Sequence, residues 1–484
     1  MLKRTIVLVL TMLGPTVLGL GGCRTRVDNV ALARHDPSHG HRLATTSPEG
    51  ANTDETFVVL AFSGGGYRAS ALALGALEGL RDTRMEGAQG PKRLLDEVDL
   101  ISSVSGGSFT AAYYGLFGER VFTDFKREVL YEDLQSDIVG ATFAPWNLAR
   151  LWSSDYDRSD LASERWGRAI FRDRTFADLR AVRSRPFIAI NAVDLSSGTL
   201  FPFTQDTFDL LGSDLDPYPV GYGVVASAAV PVVTSPISLR NHPRPQGYTR
   251  PPWLEAARDS ADRRRRWNAR ALAAWDEDKT CRRYMKLVDG GVADNTGLAT
   301  VVHELEAGHI RTLRGRGAIR RMLVIAVNAM GSSPDALVRQ SKNPALDDAA
   351  ILAMSGPVDT ITRQSLEAMA AVAARESSWL TFIELTLADI PEKKSREEML
   401  AVETALSLPR TQIDGLVHWG RELLLRNETY RSFVAGAPPA RATPIAPGPA
   451  ALRAEPTPPR RASPEPSVPD AEGLPAPVIR RSAR

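Results

Sequence analysis

The chain has 484 residues, with 59 lysines and arginines against 57 aspartates and glutamates and a net charge of +2. That balance excludes nucleic-acid binding driven by bulk charge, and 43% hydrophobic with 24% charged residues is the composition of a globular body, not of a disordered or fibrous chain. Two cysteines exclude a disulfide framework.

Met1-Leu-Lys-Arg4 is a basic start, and Thr5 to Leu20 is an apolar stretch interrupted by Gly14 and Pro15. This is the form of a secretory signal, too short and too broken for a stable spanning helix. Leu20-Gly-Gly-Cys23 closes it and resembles a bacterial lipobox, with an aliphatic residue three before the cysteine and a small residue just before it. The expectation is a lipoprotein signal peptide over residues 1–22 and a mature chain lipidated at Cys23, palmitate among its acyl chains. Several chains anchor firmly where one alone holds only marginally. Arg24 is not the aspartate of an inner-membrane retention signal, so the periplasmic face of the outer membrane is expected in a host with two membranes. A plain signal peptide with an accidental cysteine is the alternative. Cys281 is then a lone thiol. Residues 23–55 are polar and read as a tether. Its His35, His39 and His41 lack the defined scaffold that metal ligands need.

Phe57 to Phe62 is a short apolar run rich in β-branched and aromatic residues, a buried strand. Ser63-Gly64-Gly65-Gly66-Tyr67-Arg68-Ala69 follows, and a helical pattern starts at Ser70 with Leu72, Leu74, Leu77 and Leu80. Consecutive glycines at a strand-to-helix turn leave backbone N–H groups uncovered, and a helix N-terminus behind them favours developing negative charge. Arg68 adds a positive charge beside them. The rival reading is the dinucleotide pattern G-x-G-x-x-A, Gly64 to Ala69, which needs an acidic residue at the end of the next strand. That strand, Val98 to Ile101, has Asp99 inside it and ends in serines.

It runs into Ser102-Ser103-Val104-Ser105-Gly106-Gly107 and a helix over Phe109 to Phe117. This is the layout of a nucleophile elbow, in which small neighbours two before and two after let a strained turn expose one serine hydroxyl. Gly107 holds one of those places; Ser103 stands where a glycine is usual. The bland reading is a serine that caps the helix.

Leu116 to Leu179 is a charged helical insertion carrying Trp146, Trp152, Tyr156 and Trp166, a lid or a plain helical subdomain. Val225-Ala-Ser-Ala-Ala-Val-Pro231 reads as a small-residue helix stopped by Pro231. Asn241 to Thr280 is a second insertion. There Arg263 to Arg266 lie among Trp253, Trp267 and Trp275 on an exposed helix, which suits a lipid headgroup layer or simply solvent. Tyr284 to Val288 is a strand ending in Asp289-Gly290-Gly291. An aspartate at the C-terminal end of a strand is well placed for site chemistry, although Asp-Gly is also a common turn signal. Asp294 is a competing carboxylate, with a helix cap as its bland role. His303 and His309 follow on or after a helix over Thr300 to Ala307 and are the candidates for a Ser-His-Asp triad. Met322 to Val327 is a strand, Asp347 to Arg375 a helix, and Leu380 to Leu387 an alternating edge strand. Glu403 to Leu406 and Gln412 to Leu425 read as helices. Residues 436–484 are rich in proline, alanine and arginine and are expected to be disordered.

Glycine-rich donors, an elbow serine and an aspartate thus occur in that order, each at the end of a predicted parallel strand. The set resembles the patatin-like phospholipase family, with its cytosolic phospholipase and phospholipase B relatives. The matching segments are Ser63 to Arg68, Ser103 to Gly107 and Asp289 to Gly291, and Val225 to Pro231 is similar to the A-S-x-A-x-P segment of that family. The resemblance covers roughly Thr56 to Thr300. It implies an α/β fold with a central, mostly parallel sheet flanked by helices. The core is expected over 56–305, with helical insertions near 118–180 and 241–280, and 306–435 completes the same body. It implies Ser105 as nucleophile, Asp289 as base, an oxyanion hole at Gly64, Gly65 and Gly66, anion support from Arg68, a lipid or ester substrate, and neither cofactor nor metal. A catalytically inactive envelope lipoprotein and a dinucleotide-dependent oxidoreductase are the alternatives.

Overall fold

The computed structural model describes residues 27–436 except 88–89, 145–146, 148–149, 153–155, 232–233, 260–262 and 332–345. Cys23, the signal segment, Trp146 and residues 437–484 therefore lie outside the described residues. Eight strands form one sheet: β1 Thr56–Phe62, β2 Val98–Val104, β3 Phe187–Asp194, β4 Thr199–Pro202, β5 Ile237–Arg240, β6 Tyr284–Asp289, β7 Arg321–Asn328 and β8 Leu380–Thr386. Their order is β8-β7-β1-β2-β3-β6-β5, with β4 also on β3. The first five strands in that order are parallel. β1 is buried along its whole length, which explains why its sequence is continuously apolar instead of alternating. β8 alternates because it is the edge, with one face turned outward.

The principal helices are α1 Gly66–Asp82, α2 Gly106–Phe117, α3 Arg158–Ala169, α4 Val220–Ser227, α5 Arg263–Glu277, α6 Leu298–Glu306, α7 Leu346–Arg375 and α8 Arg410–Arg426. α1, α2 and α8 pack with Val58, Leu60, Ile101 and Ile190 on one face of the sheet. α6 and α7 cover Phe57, Val59, Leu100 and Phe187 on the other. Among the described residues no helix is long and apolar enough to cross a membrane.

Three expectations need correction. β6 is antiparallel to both of its neighbours, β3 and β5, so Asp289 does not end a parallel strand. Glu403 to Leu406 is not helical. The segment read as a tether is folded against the body. Val30–Ala31 pairs with Ser213–Asp214. The Asn29 amide donates to the Ser213 hydroxyl and the Arg240 carbonyl, both at 2.9 Å. His41 stacks on Phe187 with ring centres 4.2 Å apart and holds the Ile188 carbonyl at 2.8 Å, and burial drives its proton affinity down to a pKa of about 4. Arg42 bridges Asp206 and Asp209, each at 2.6 Å. Polar composition suggested a linker; the partners named for those polar groups lie 147 to 211 residues away in the chain.

Both insertions are helical. Trp166 packs on Phe109 of α2 at 5.8 Å, while Trp152 is 92% exposed. In the second insertion only Trp267 faces solvent, at 65% exposure. The Trp275 indole donates to Asp194 at 3.1 Å, so the three tryptophans do not share one headgroup-facing surface.

Candidate active site

β2 ends at Val104, and the chain then turns sharply into α2. Ser105 sits at that turn with φ 49° and ψ −121°, a conformation that costs a non-glycine residue strain and persists only where surroundings enforce it. They do so here. The Ser105 N–H donates to the Ser227 hydroxyl at 2.8 Å, and Ser227 in turn donates to the Asn191 carbonyl at 2.6 Å. The last turn of α4 is therefore the strut under the elbow. The Gly107 N–H donates to the Ser63 carbonyl at 3.2 Å. A Cβ placed on Gly106 would lie 2.0 Å from the Gly66 carbonyl oxygen, so the two glycine segments meet backbone to backbone. Ser103 fits because its side chain points along the sheet, its hydroxyl donating to the Ala189 carbonyl at 3.2 Å. The Ser105 side chain makes no capping bond to the helix it precedes, and the residue is only 8% exposed.

Asp289 reaches the same level through the sheet register. Val104 is paired with Asn191, and Asp289 with Ala192, across opposite edges of β3. Ser105 and Asp289 thus flank one strand at equal height, which an antiparallel β6 delivers as well as a parallel one. The Asp289 carboxylate accepts the Gly291 N–H at 2.7 Å. Burial pushes its pKa up from 3.8 to about 6, while the Gly291 N–H and the nearby Ser105 hydroxyl pull partly back.

Of the three expected backbone donors, one is already engaged. The Gly64 N–H is spent on the Asn295 carbonyl at 2.9 Å. Those of Gly65, Gly66 and Gly106 have no partner among the described residues. Gly106, the residue after the elbow serine, is a donor that sequence reasoning missed, although its position in the elbow pattern could have flagged it. Asn295 was missed as well. Its side-chain oxygen would lie 2.3 Å from a Cβ on Gly64 and 2.8 Å from one on Gly291, so it is wedged between the two loops.

Arg68 lies elsewhere. Its guanidinium is buried and donates to the Ala329 carbonyl at 2.6 Å and to the Val402 carbonyl. Burial lowers its pKa to about 10. It clamps the glycine turn to two distant loops and is not turned toward a substrate. Asp294 has the capping role, accepting the Thr296 N–H at 3.1 Å and the Ala299 N–H at 2.7 Å. Neither His303 nor His309 perturbs Asp289; both line a cavity on the α6 side of the sheet. His303 meets Trp253 edge-on at 4.6 Å, and burial takes its pKa down to about 4. No triad forms. Among the described residues no group of three or more acidic, histidine or cysteine side chains is arranged to hold a metal ion.

No curated protein matches the chain. Among solved structures, human GIVD cytosolic phospholipase A2 aligns over 79% of this chain and 60% of its own, at 12% identity and a TM-score of 0.44. VipD from Legionella pneumophila aligns over 87% of this chain and 72% of its own, at 12% identity and a TM-score of 0.33. The chain thus spans about three fifths of the length of the human enzyme. The family profile described as patatin-like phospholipase matches residues 60–302, half of the chain. The chain belongs to the patatin-like phospholipase family.

Proposed function

We propose that the chain is a serine acyl hydrolase acting on lipid esters (a phospholipase A, lysophospholipase or esterase) through a Ser105–Asp289 dyad. The observation that carries this reading is that Ser105, strained at a sharp turn, and the desolvated Asp289 carboxylate flank β3 at the same height, close enough for the serine to lower the carboxyl's pKa, with the N–H groups of Gly65, Gly66 and Gly106 lacking a partner among the described residues. Ser105 Oγ attacks the ester carbonyl as its proton passes to Asp289. The carbonyl oxygen becomes an oxyanion held by the N–H groups of Gly65, Gly66 and Gly106. Such donors are worth about 3 kcal/mol each in acyl-transfer enzymes, which offsets the weakness of a carboxylate as a base. Protonated Asp289 then gives its proton to the departing alcohol. Water attacks the acyl-enzyme as Asp289 takes its proton, the ester bond to Ser105 breaks as Asp289 returns that proton to Ser105 Oγ, and the free acid leaves. Lipidation at Cys23 places the enzyme in the cell envelope, on the periplasmic face of the outer membrane where there are two membranes; the lipobox-like Leu20 to Cys23 supports this.

A fluorophosphonate probe tests the reading. Wild type is expected to be labelled and to hydrolyse a lysophospholipid or a p-nitrophenyl ester, and Ser105→Ala to do neither while melting at the same temperature. Labelling of folded Ser105→Ala, or none of wild type, would sink it.

A further inference from the structure

The loop after β6 brings one more polar side chain to the pair of Ser105 and Asp289. Asn295 is half-buried, and the backbone fixes its place. Its carbonyl accepts the Gly64 N–H at 2.9 Å, and the Asp294 N–H just before it donates to the Gly290 carbonyl at 3.0 Å. The Cβ that Gly64 lacks would lie 2.3 Å from the Asn295 side-chain oxygen and 3.3 Å from the Ser105 Cβ. The one that Gly291 lacks would lie 2.8 Å from the same oxygen and 3.0 Å from an Asp289 carboxylate oxygen. The carboxamide therefore adjoins both the elbow serine and the carboxylate.

Backbone conformation requires glycine at neither position, since neither Gly64 nor Gly291 has a positive φ. Room for the carboxamide does. A smaller side chain at 295, with alanines at 64 and 291, would fill the same space, so packing alone gives no reason for an amide. Its neighbours Asp294 and Thr296 hydrogen-bond each other. The Asn295 amide carries two N–H donors and an acceptor, yet no hydrogen bond to it forms among the described residues.

We infer that the Asn295 carboxamide binds the oxygen that leaves Ser105's substrate and then the oxygen that replaces it. The inference rests on the dyad reading and extends it. In the first half of the reaction the bond between the carbonyl carbon and the alcohol oxygen breaks. That oxygen takes the proton held by Asp289, and an Asn295 N–H hydrogen-bonds to it as negative charge grows there. In the second half a water oxygen bonds to the acyl carbon. One of its protons passes to Asp289, and the amide oxygen accepts a hydrogen bond from the other. Alcohol and water occupy one position because each exchanges a proton with Asp289. A group that donates and accepts serves both, and Asn295 itself gains and loses no proton. The oxyanion is left to the backbone N–H groups.

The test compares reactions that need this contact with one that does not. A fluorophosphonate expels fluoride and needs no incoming water, so its labelling rate reports Ser105, Asp289 and the oxyanion donors alone. Asn295→Ala should be labelled within about twofold of the wild-type rate, while kcat on a lysophospholipid falls about ten- to a hundredfold. A p-nitrophenyl ester has a leaving group that needs no help. In Asn295→Ala it should release one equivalent of p-nitrophenol rapidly and then turn over about tenfold or more below wild type, because the water step is impaired. Asn295→Leu keeps the branched shape between the two glycines and should behave alike, which covers the case that Asn295→Ala unfolds or lets the loops shift. Asn295→Ser, whose hydroxyl donates and accepts, should recover part of the loss. Wild-type turnover in folded Asn295→Leu, or labelling slowed as much as turnover in both variants, would overturn the inference and leave the dyad standing. A wild type that the probe does not label removes the dyad, and the inference with it.

Discussion

Burial raises the Asp289 carboxyl from its ordinary 3.8 to about 6, and in the proposed dyad this should set the acid limb of the pH profile. As a base, Asp289 must be ionised. About one molecule in ten carries the carboxylate at pH 5 and about nine in ten at pH 7, so the rate should fall about tenfold per pH unit well below pH 6. An unshifted carboxylate would be over about 90% ionised at pH 5 and leave the rate nearly flat from there to pH 8. The second-order rate of Ser105 labelling by a fluorophosphonate, measured from pH 4.5 to 8 with tryptophan fluorescence as the fold control, separates the two cases. The sign for stability runs the other way. A carboxyl whose pKa rises on folding stabilises the fold at low pH, and that contribution is lost as pH climbs through about 6. Loss of labelling on acidification therefore cannot come from unfolding driven by this residue. Asp289→Asn should abolish the limb and slow labelling by about 10²–10⁴-fold. A flat wild-type profile between pH 5 and 8, or a limb retained in Asp289→Asn, would refute the assignment.

Gly106→Ala should be poorly tolerated. Its Cβ would meet the Gly66 carbonyl oxygen at 2.0 Å, and relieving that clash should cost about 1–3 kcal/mol in thermal unfolding and misplace two donors, with kcat reduced. Ser227→Ala removes the acceptor of the Ser105 N–H; a buried N–H left unpaired costs about 1–3 kcal/mol, and kcat should fall more than KM changes. Arg68→Met removes two donors to buried carbonyls, so denaturant midpoints should drop by the equivalent of about 2 kcal/mol or more. The ratio of activities on anionic and neutral headgroups should stay unchanged, because the guanidinium does not face substrate.

Local chemistry made the elbow readable. Small residues beside Ser105 and glycines after β1 have no other economical explanation, and the apolar run of Phe57 to Phe62 follows from burial on both faces. What escaped detection depends on contacts distant in sequence. The antiparallel direction of β6 is set by its pairing with β3, nearly a hundred residues upstream, and Asp289 alone carries no sign of it. Asn295 and Ser227 look ordinary until the loops they hold are brought together. Arg68 beside a glycine turn suggested an anion partner; two carbonyls from loops beyond residue 328 claim it instead. The N-terminal arm failed for the same reason, His41 and Arg42 being held mainly by Phe187, Ile188, Asp206 and Asp209 far along the chain.

That arm also shortens the leash. With the chain pinned from Asn29 onward by the Ser213 and Arg240 contacts, a lipid on Cys23 would leave a reach of only about 20 Å even at full extension. An enzyme so anchored would work on whatever diffuses past in its own leaflet, and its turnover would follow the two-dimensional density of esters there instead of their concentration in the surrounding fluid.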